Sequence, residues 1–562
     1  GLVGSLFVEF AFTLAGAVLI SGVVALTLSP MFSGKILKPH GEGSRFEGVV
    51  NRSFNRLADG YKSALARFTS VPSAVVAVAL ALLVATFFMV QLSRSELAPT
   101  EDEGILLYQG EAPQTATLEY LEHYGAQLQQ RFEQLPGYSE SFMLLGMLDP
   151  NTVFGGFKMK PWDEREVSQF EVEPMLQQAV SEVTGLRTSI FTRPPIPGTG
   201  DGVPVQFVIT TARGYDELNE VADQILGRAM QSGRFMFLQK SIDIDRPLQQ
   251  VQVDRERAAD LGLSMAAIGQ SLANMLGEGY INRFNMQGRS YDVIPQVERG
   301  ARASADDLRG YYVRADSGEL VPLDAVIDIQ QQIEPSARTQ FNQVNSLALE
   351  GVMRPGVSMG DAVSFLEQTA AEVFPAGFNY GYKGQSRQFK EQGSALLLTF
   401  FLSLIVIYLV LAAQFESWRD PLIILISVPL SAAGAMAFIM LGAATLNIYT
   451  QVGLITLIGV VSKNGILIVE FANQLQRREG LDRREAVLEA SRIRLRPIIM
   501  TSVALIVAMV PLLTAAGPGA QSRFAIGLTI AAGLGIGTFL TVFVLPAFYM
   551  LLARDHGGEQ AA

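Results

Sequence analysis

Charged residues are very unevenly spread along the 562-residue chain. Long uncharged runs alternate with polar stretches, and they cover 10–34, 68–93, 392–415, 421–462, 497–522 and 524–553. A helix that crosses a bilayer needs about 20 apolar residues. The run 421–462 is long enough for two such helices with a turn between them. The pattern therefore predicts seven membrane-spanning helices, at about 10–32, 71–92, 394–415, 421–443, 449–472, 497–516 and 524–552.

Two short polar loops, 33–70 and 473–496, are rich in lysine and arginine. Basic loops remain on the cytoplasmic side of a membrane, so alternation of the spans puts 93–393 on the opposite side. Within the first loop, apolar and basic positions repeat at helical spacing over 43–67. This pattern favours an amphipathic helix on the inner membrane surface, and a solvated connector is the alternative.

The segment 93–393 differs in character from the rest of the chain. It holds 25 basic and 41 acidic residues, a net charge of −16, whereas the remainder carries +5. Its periodicity predicts the order β-α-β-β-α-β over 105–193, which is the ferredoxin-like split motif. After a Pro/Gly linker at 194–200, a second unit starts at 203 and is completed over 346–383.

A third unit is inserted between the two parts of the second one. It covers 246–336, with candidate helices at 254–261 and 265–276 and a hairpin turn at 316–318. The expected fold class is a membrane α-helical bundle of seven transmembrane helices with a large α+β insert.

The amino-acid composition argues against several classes of function. The chain has no cysteine and three scattered histidines, which excludes disulfides and thiolate metal sites and argues against a histidine metal cluster. Its net charge of −11 argues against a nucleic-acid partner. The segment 93–393 shows no nucleophile–base pair or phosphate-binding glycine loop, so we expect no enzyme and no cofactor.

Ionisable residues inside a membrane span indicate function, because burying a charge there costs several kcal/mol. Lys463 is such a residue, about 10 Å of helix rise from Glu470. We expect Lys463 and Asn464 to face the bundle interior, and a structural ion pair of Lys463 is the alternative. Arg494 and Thr501 share one helix face, since they are seven residues apart.

These four residues make a candidate proton path. Pro497, which lies between Arg494 and Thr501 in the sequence, is a residue type suited to the first turn of a helix. Arg494 alone is equally explained as a membrane anchor, and Thr501 as a backbone-bonded hydroxyl. No predicted span contains an Asp or Glu that we expect to be well buried, because Glu9, Glu416 and Glu470 lie at span ends. Any carboxylate that pairs with Lys463 must then come from elsewhere.

Five motifs give the chain a resemblance to a known family. They are AQFESW at 413–418, LNIYTQVG at 446–453, SKNGILIVEFA at 462–472, RLRPIIMTS at 494–502 and KMKPW at 158–162. With them, the whole chain resembles the resistance–nodulation–division superfamily, specifically its hydrophobe/amphiphile multidrug efflux pumps of Gram-negative bacteria. The resemblance implies a multi-pass inner-membrane protein that exports amphiphilic compounds by drug/proton antiport.

The resemblance also implies how the chain is completed. Family pumps have twelve spans in two similar halves, and this chain looks like the C-terminal half. Paired aspartates of the missing N-terminal half would then face Lys463, Arg494 and Thr501. Expected partners are two further copies in a homotrimer, a periplasmic adaptor (membrane fusion) protein, an outer-membrane channel and membrane lipid.

By the same resemblance, the chain divides into named regions. They are a transmembrane helix in 1–33, an amphipathic helix and loop in 34–70, a transmembrane helix at 71–92, a first porter subdomain at 93–200, a second at 201–245 with 337–390, a docking subdomain at 246–336 and a five-helix bundle at 391–562. The first porter subdomain would hold part of a phenylalanine-rich drug pocket, with Phe142, Phe154 and Phe157 as candidates and core packing as the alternative for each. Two other functions remain open: export of heavy-metal ions, and proton-driven secretion or lipid transport.

Overall fold

The computed structural model describes residues 2–36, 45–147, 149–196, 198, 202–335 and 337–555. The linker predicted at 194–200 lies partly outside these residues. Three helices come first: α1 (Leu2–Ile36), α2 (Arg45–Phe68) and α3 (Pro72–Leu92). Helix α2 is amphipathic, and its buried Tyr61 donates a hydrogen bond to the Val542 carbonyl at 2.6 Å.

The first sheet domain has the predicted element order. Its elements are β1 (Ile105–Glu111), α4 (Leu118–Phe132), β2 (Tyr138–Leu145), β3 (Thr152–Met159), α5 (Gln169–Ser181) and β4 (Arg187–Thr192). The strands are antiparallel in the order β2-β3-β1-β4. Local sequence sets the helix starts, since Thr117 caps α4 and Ser168 forms a capping box with Glu171 on α5. Both helices cover one face of the sheet and bury a core that includes Tyr108, Phe132 and Phe157.

The second sheet domain begins in the same way and is then interrupted. Its first part is β5 (Val205–Thr211), α6 (Tyr215–Gln231) and β6 (Phe235–Lys240). The interrupting segment holds β7 (Ile244–Val253), α7 (Arg255–Asp260), α8 (Met265–Leu276), β8 (Asn282–Met286), β9 (Arg289–Val293), β10 (Tyr312–Arg314), β11 (Leu320–Pro322) and β12 (Ile327–Pro335). Strands β7 and β12 pair along their whole length, so a two-stranded stalk joins this segment to the second sheet domain.

The chain then returns to complete the second sheet. The returning elements are β13 (Gln340–Phe341), β14 (Val344–Met353), α9 (Met359–Val373) and β15 (Phe378–Tyr382). Strand β14 pairs with both β5 and β6, and β15 pairs with β5 on the other side. The resulting order β15-β5-β14-β6 repeats that of the first sheet, which is the arrangement expected for a split βαβ unit.

The remaining elements are helices. They are α10 (Gly384–Phe415), α11 (Asp420–Leu425), α12 (Ser427–Met440), α13 (Ile448–Glu479), α14 (Arg483–Leu513) and α15 (Ala520–Leu552). Within the described residues, seven stretches are long and apolar enough to cross a membrane, when α11 and α12 are taken as one. Helices α12, α13, α14 and α15 pack closely together, and α3 packs against α12 and α15.

The helices differ from the predicted pattern at three places. Helix α10 begins at Gly384 instead of 394, because a polar helical extension precedes the apolar run. The span at 421–443 is broken at Ile426, just before Pro429, which has no N–H to donate to the preceding turn. Pro497 begins no helix but lies inside α14, whose N-cap is Asp482. Proline is tolerated within membrane helices because neighbouring groups satisfy the freed carbonyl.

Close packing of α12 and α15 depends on glycine. A Cβ atom added to Gly537 would lie 1.8 Å from Ser431 Oγ and 2.7 Å from Ser431 Cα. At Gly533, an added Cβ would lie 3.1 Å from the carbonyl oxygen of Ser431 on α12 and 2.3 Å from Leu457 Cδ1 on α13. These two glycines are four residues apart and therefore share one face of α15, where they let the helix backbones approach each other.

Candidate functional site

Lys463 lies in the middle of α13, more than half of whose apolar stretch is buried inside the structure. The helix starts cleanly because Asn447 accepts hydrogen bonds from the backbone N–H groups of Tyr449 and Thr450. Lys463 is half-buried. In the part of the chain that the structure describes, its ammonium group has no ion-pair or hydrogen-bond partner. An unpaired ammonium among membrane helices is costly, so Lys463 is a candidate functional residue.

The neighbouring Asn464 is fully buried and connects three helices. Its Nδ2 donates to Thr538 Oγ1 on α15 at 3.2 Å, and Thr538 Oγ1 lies 3.1 Å from Ser502 Oγ on α14. Asn464 Oδ1 is buried and has no hydrogen-bond partner within the described residues. A buried acceptor left open costs about 1–3 kcal/mol, so this oxygen marks a place where a proton donor would be favourable.

Arg494 and Thr501 both lie on α14, as predicted, but each has its own environment. The Arg494 guanidinium stacks over the Phe471 ring of α13, with Cζ 4.3 Å from the ring centroid. Its Nε is buried and unpaired within the described chain. Thr501 Oγ1 donates to the Ile498 carbonyl at 3.1 Å. The structure therefore brings Lys463, Asn464, Arg494 and Thr501 to two adjacent helices, but joins none of them to another by a hydrogen bond.

Sequence reasoning missed Ser502 and Thr538, which make the contacts of Asn464. Small hydroxylated residues are common in membrane helices, so neither residue carries a signal on its own. Only the packing of α13, α14 and α15 brings the three side chains together.

A buried carboxylate was also missed. Asp420 opens α11 and is only 4% exposed. Its Oδ2 accepts a hydrogen bond from Asn473 Nδ2 at 3.1 Å. The Tyr549 hydroxyl donates to Asn473 Oδ1 and accepts from Gln476 Nε2, each at 2.6 Å. Asp420 directly precedes the predicted span 421–443, and its burial arises from the packing of α11 against α13 and α15.

The three candidate phenylalanines are in different surroundings. Phe157 is fully buried in the core of the first sheet domain, against Phe132 and Tyr138, where it cannot contact a ligand without unpacking that core. Phe142 is 50% exposed and lies 6.4 Å from the Phe154 ring. The Phe142 ring covers Gly156, where an added Cβ would lie 2.4 Å from it.

A polar cleft of about 240 Å³ lies between the two sheet domains. Phe154 belongs to the apolar contact beside it, which joins Phe191 of the first domain to Val352 of the second. The cleft is lined by Gln109, Glu111, Gln114, 149–152, Gln239, Lys240, Ser241, Asp243, Arg246 and Glu350.

Two charged groups in the cleft, Lys240 and Glu350, have pKa values shifted from their ordinary values. Lys240 pairs with Asp223 at 2.8 Å and with Asp243 at 3.2 Å. Burial opposes the charge of Lys240, but these two carboxylates prevail and raise its pKa. Burial raises the pKa of Glu350, and Lys383 partly offsets that effect. The cleft is therefore a polar, charged opening with aromatic residues at one side.

Comparison with known proteins gives a family match. The family model described as "AcrB/AcrD/AcrF family" matches residues 1–553. An uncharacterised transporter of Haemophilus influenzae is 38% identical over 562 residues, covering 99% of this chain and 54% of that protein. The multidrug/solvent efflux pump membrane transporter MepB of Pseudomonas putida is 32% identical, covering 100% of this chain and 55% of its own length.

A third relative has a printed function of the same kind. The multidrug export protein AcrF of Escherichia coli is 30% identical over 582 residues, covering 99% of this chain and 56% of that protein. The chain thus spans about half the length of the curated relatives it matches. All three relatives are named as transporters or export proteins rather than enzymes.

Proposed function

The chain belongs to the AcrB/AcrD/AcrF family, and we propose that it acts in proton-driven efflux of hydrophobic or amphiphilic compounds. Membership of this resistance–nodulation–division family and the apolar helices make it a multi-pass protein of the bacterial inner membrane. The names of relatives such as MepB and AcrF support an efflux role. The single observation that carries the proton-driven part is the unpartnered Lys463 in the middle of α13.

Lys463 can respond to a proton because its ammonium is poorly compensated. In the proposed cycle, a carboxylate pairs with Lys463 when ionised and releases it when protonated. Each exchange changes the net charge between helices, which shifts their packing because an unpaired charge in the membrane is costly. The described residues place no carboxylate beside Lys463, so we propose that this partner is supplied by another segment or subunit of the assembled transporter.

The other relay residues have distinct proposed roles. Asn464 Oδ1 is an open acceptor, next to the hydroxyls of Thr538 and Ser502, and would bind a water or a hydronium on the proton route. Arg494 would keep positive charge at the entrance of that route while its guanidinium is fixed on the Phe471 ring. Thr501 contributes a hydroxyl that can exchange its backbone bond for a water.

The soluble domains would handle the exported compound. We propose that 93–200 and 201–245 with 337–390 are porter subdomains and that 246–336 is a docking subdomain. Phe142 and Phe154 are the better substrate candidates, because Phe157 is in the core. The cleft beside Phe154 offers an opening between the two porter subdomains whose width can change when they move apart.

The proposed assembly is a homotrimer that works with a periplasmic adaptor and an outer-membrane channel. The stalk formed by β7 and β12 supports this arrangement, since it joins 246–336 to the second sheet domain as a separate unit. A heavy-metal exporter is the weaker alternative, because the described residues hold no group of three His, Cys, Asp or Glu side chains that could bind a metal ion. Secretion or lipid transport has no specific observation in its favour.

Efflux of a fluorescent hydrophobic dye tests the proposal. Cells that express the transporter in its native assembly should extrude the dye until a protonophore removes the proton gradient. A Lys463→Ala variant should lose extrusion, whereas Ser462→Ala, whose hydroxyl bonds only to its own helix, should keep it. Extrusion that continues in the presence of the protonophore would contradict the proton-driven part of the proposal.

A further inference from the structure

The segment 93–104, which joins α3 to β1, touches the start of four helices. We call it the connecting segment. Two of these helices, α13 and α15, belong to the membrane bundle, and the other two, α5 and α9, belong to the sheet domains. Helix starts carry unpaired N–H groups and a partial positive charge, so they bind acidic side chains and carbonyls tightly.

Glu101 supplies the N-terminal cap of α15. The residue before that helix is Gly519, which has φ of +76° and no side chain with which to cap it. Glu101 is 8% exposed, and its Oε1 accepts from Ser522 N at 2.7 Å and from Ser522 Oγ at 2.6 Å. Its Oε2 accepts from Gln521 N at 3.1 Å. A membrane helix is therefore capped by a residue 420 positions away.

The next residue, Asp102, is fixed to the first sheet domain. Its Oδ2 accepts from Gln169 N at the start of α5, at 2.8 Å. Its Oδ1 forms an ion pair with Arg165 Nη2 at 2.6 Å, and these side chains are only 5% and 1% exposed. Trp162 Nε1 donates to the Asp102 carbonyl at 3.2 Å. Loss of one partner of such a buried pair is strongly destabilising, so Asp102 is a firm attachment.

The other end of the connecting segment is attached in the same way. Backbone hydrogen bonds join it to the start of α13: Leu446 N to Arg94 O at 2.8 Å, Glu96 N to Leu446 O at 3.1 Å and Ile448 N to Leu97 O at 3.2 Å. The Ser95 carbonyl accepts from Gly360 N of α9 at 2.9 Å. An added Cβ at Gly360 would lie 2.2 Å from Ser95 Oγ, so the contact leaves no space for a side chain.

We propose that the connecting segment transmits movement of the membrane helices to both sheet domains, with Glu101 and Asp102 as its positioning residues. Adjacent Cα atoms are about 3.8 Å apart, so the start of α15 cannot move far unless the start of α5 moves with it. Helix α13 carries Lys463, so a charge change there reaches α9 through Ser95. The inference rests on the proposed proton-driven function and adds a route of coupling to it.

Spin-label distances test the attachment without reference to transport. The chain has no cysteine, so Gln178→Cys on α5 and Ala516→Cys beside α15 are the only labelling sites. The distance between them should stay narrow and unchanged between acidic and alkaline buffer. In Glu101→Ala it should become broad and dependent on pH. Glu103→Ala is the matched control, because that carboxylate pairs only with the half-exposed Arg193 of its own sheet domain at 3.2 Å.

Transport then tests the consequence in the native assembly. Glu101→Ala should lower substrate efflux about tenfold, a common size for coupling between sites, while Glu103→Ala leaves it unchanged. Glu101→Gln should recover part of the loss, because one oxygen still accepts from α15. If Glu101→Ala does not fold, Ser522→Ala removes only the side-chain contact and should give a smaller loss in the same direction.

Two outcomes separate this inference from the proposed function. If Glu101→Ala and Glu103→Ala show the same label distances and the same efflux, the connecting segment is only a linker and the inference is overturned. If Lys463→Ala keeps full efflux, the proton-driven function fails, and the label distances still decide whether Glu101 couples α15 to α5.

Discussion

Replacement of Gly537 by alanine should loosen the contact between α12 and α15. The added Cβ would lie 1.8, 2.5 and 2.7 Å from the Oγ, Cβ and Cα atoms of Ser431. Rotation of the serine side chain can move only Oγ. Carbon atoms prefer separations of about 3.5–4.0 Å, so the two backbones must move apart by roughly 1 Å at this point.

Such a shift has a predictable size of effect. Extra methyl or methylene groups in a packed core typically lower the free energy of unfolding by about 1–3 kcal/mol. We expect Gly537→Ala to lie at the upper end of this range, because the added Cβ would clash with a backbone atom. The loss should appear as a lower midpoint of thermal unfolding in detergent, followed by tryptophan fluorescence or by exposure of introduced cysteines. The double variant with Ser431→Gly should recover part of the loss, because it removes two of the three clashing atoms.

A matched control separates the packing effect of the added methyl group from the effect of replacing a glycine in a helix. Gly459→Ala makes the same change in α13, where an added Cβ meets no atom within 4 Å. It should leave the unfolding midpoint unchanged or raise it slightly, since alanine favours helix more than glycine does. Equal midpoints for Gly537→Ala, Gly459→Ala and the unaltered protein would refute the packing argument.

The remaining predictions concern buried polar groups. Tyr549→Phe leaves Asn473 and Gln476 without a common partner, and the unfolding free energy in detergent should fall by about 1–3 kcal/mol, whereas an unchanged value would show that water replaces the hydroxyl. Asp420→Asn should be tolerated better than Asp420→Ala, because the amide oxygen can still accept from Asn473, and thermal melting of both variants would rank them. Glu350→Gln should stabilise the protein in alkaline buffer and matter less in acid. The raised pKa of Glu350 means that its neutral form is favoured by folding, so stability is lost as pH rises through that pKa, and melting curves across pH would show the crossover.

Much of the soluble fold could be predicted from the sequence. The helical repeat predicted α8 over Met265–Leu276 with the bounds that the structure has. This helix has one exposed side and one packed side, so its period is visible in the sequence. The order of elements then restricted the first domain to a split βαβ arrangement.

The membrane helices were harder to bound. Hydropathy detects the apolar part of a helix and misses polar turns that continue it, as in the ten residues between Gly384 and 394. Hydropathy also does not indicate which faces of the helices contact each other. Burial of Asp420 and the cluster of Asn464 with Thr538 depend on contacts across more than 50 residues, and a periodic pattern within one helix holds no information about them.

Substrate-stimulated proton flux through Lys463 tests the central claim most directly. The transporter in its native assembly, reconstituted in liposomes with a pH-sensitive dye inside, would be compared with Lys463→Ala and with Ser462→Ala on the same helix. We expect substrate to accelerate proton movement in the unaltered protein and in Ser462→Ala, and to have no effect on Lys463→Ala. Proton flux of equal size in Lys463→Ala, with substrate export intact, would contradict the account.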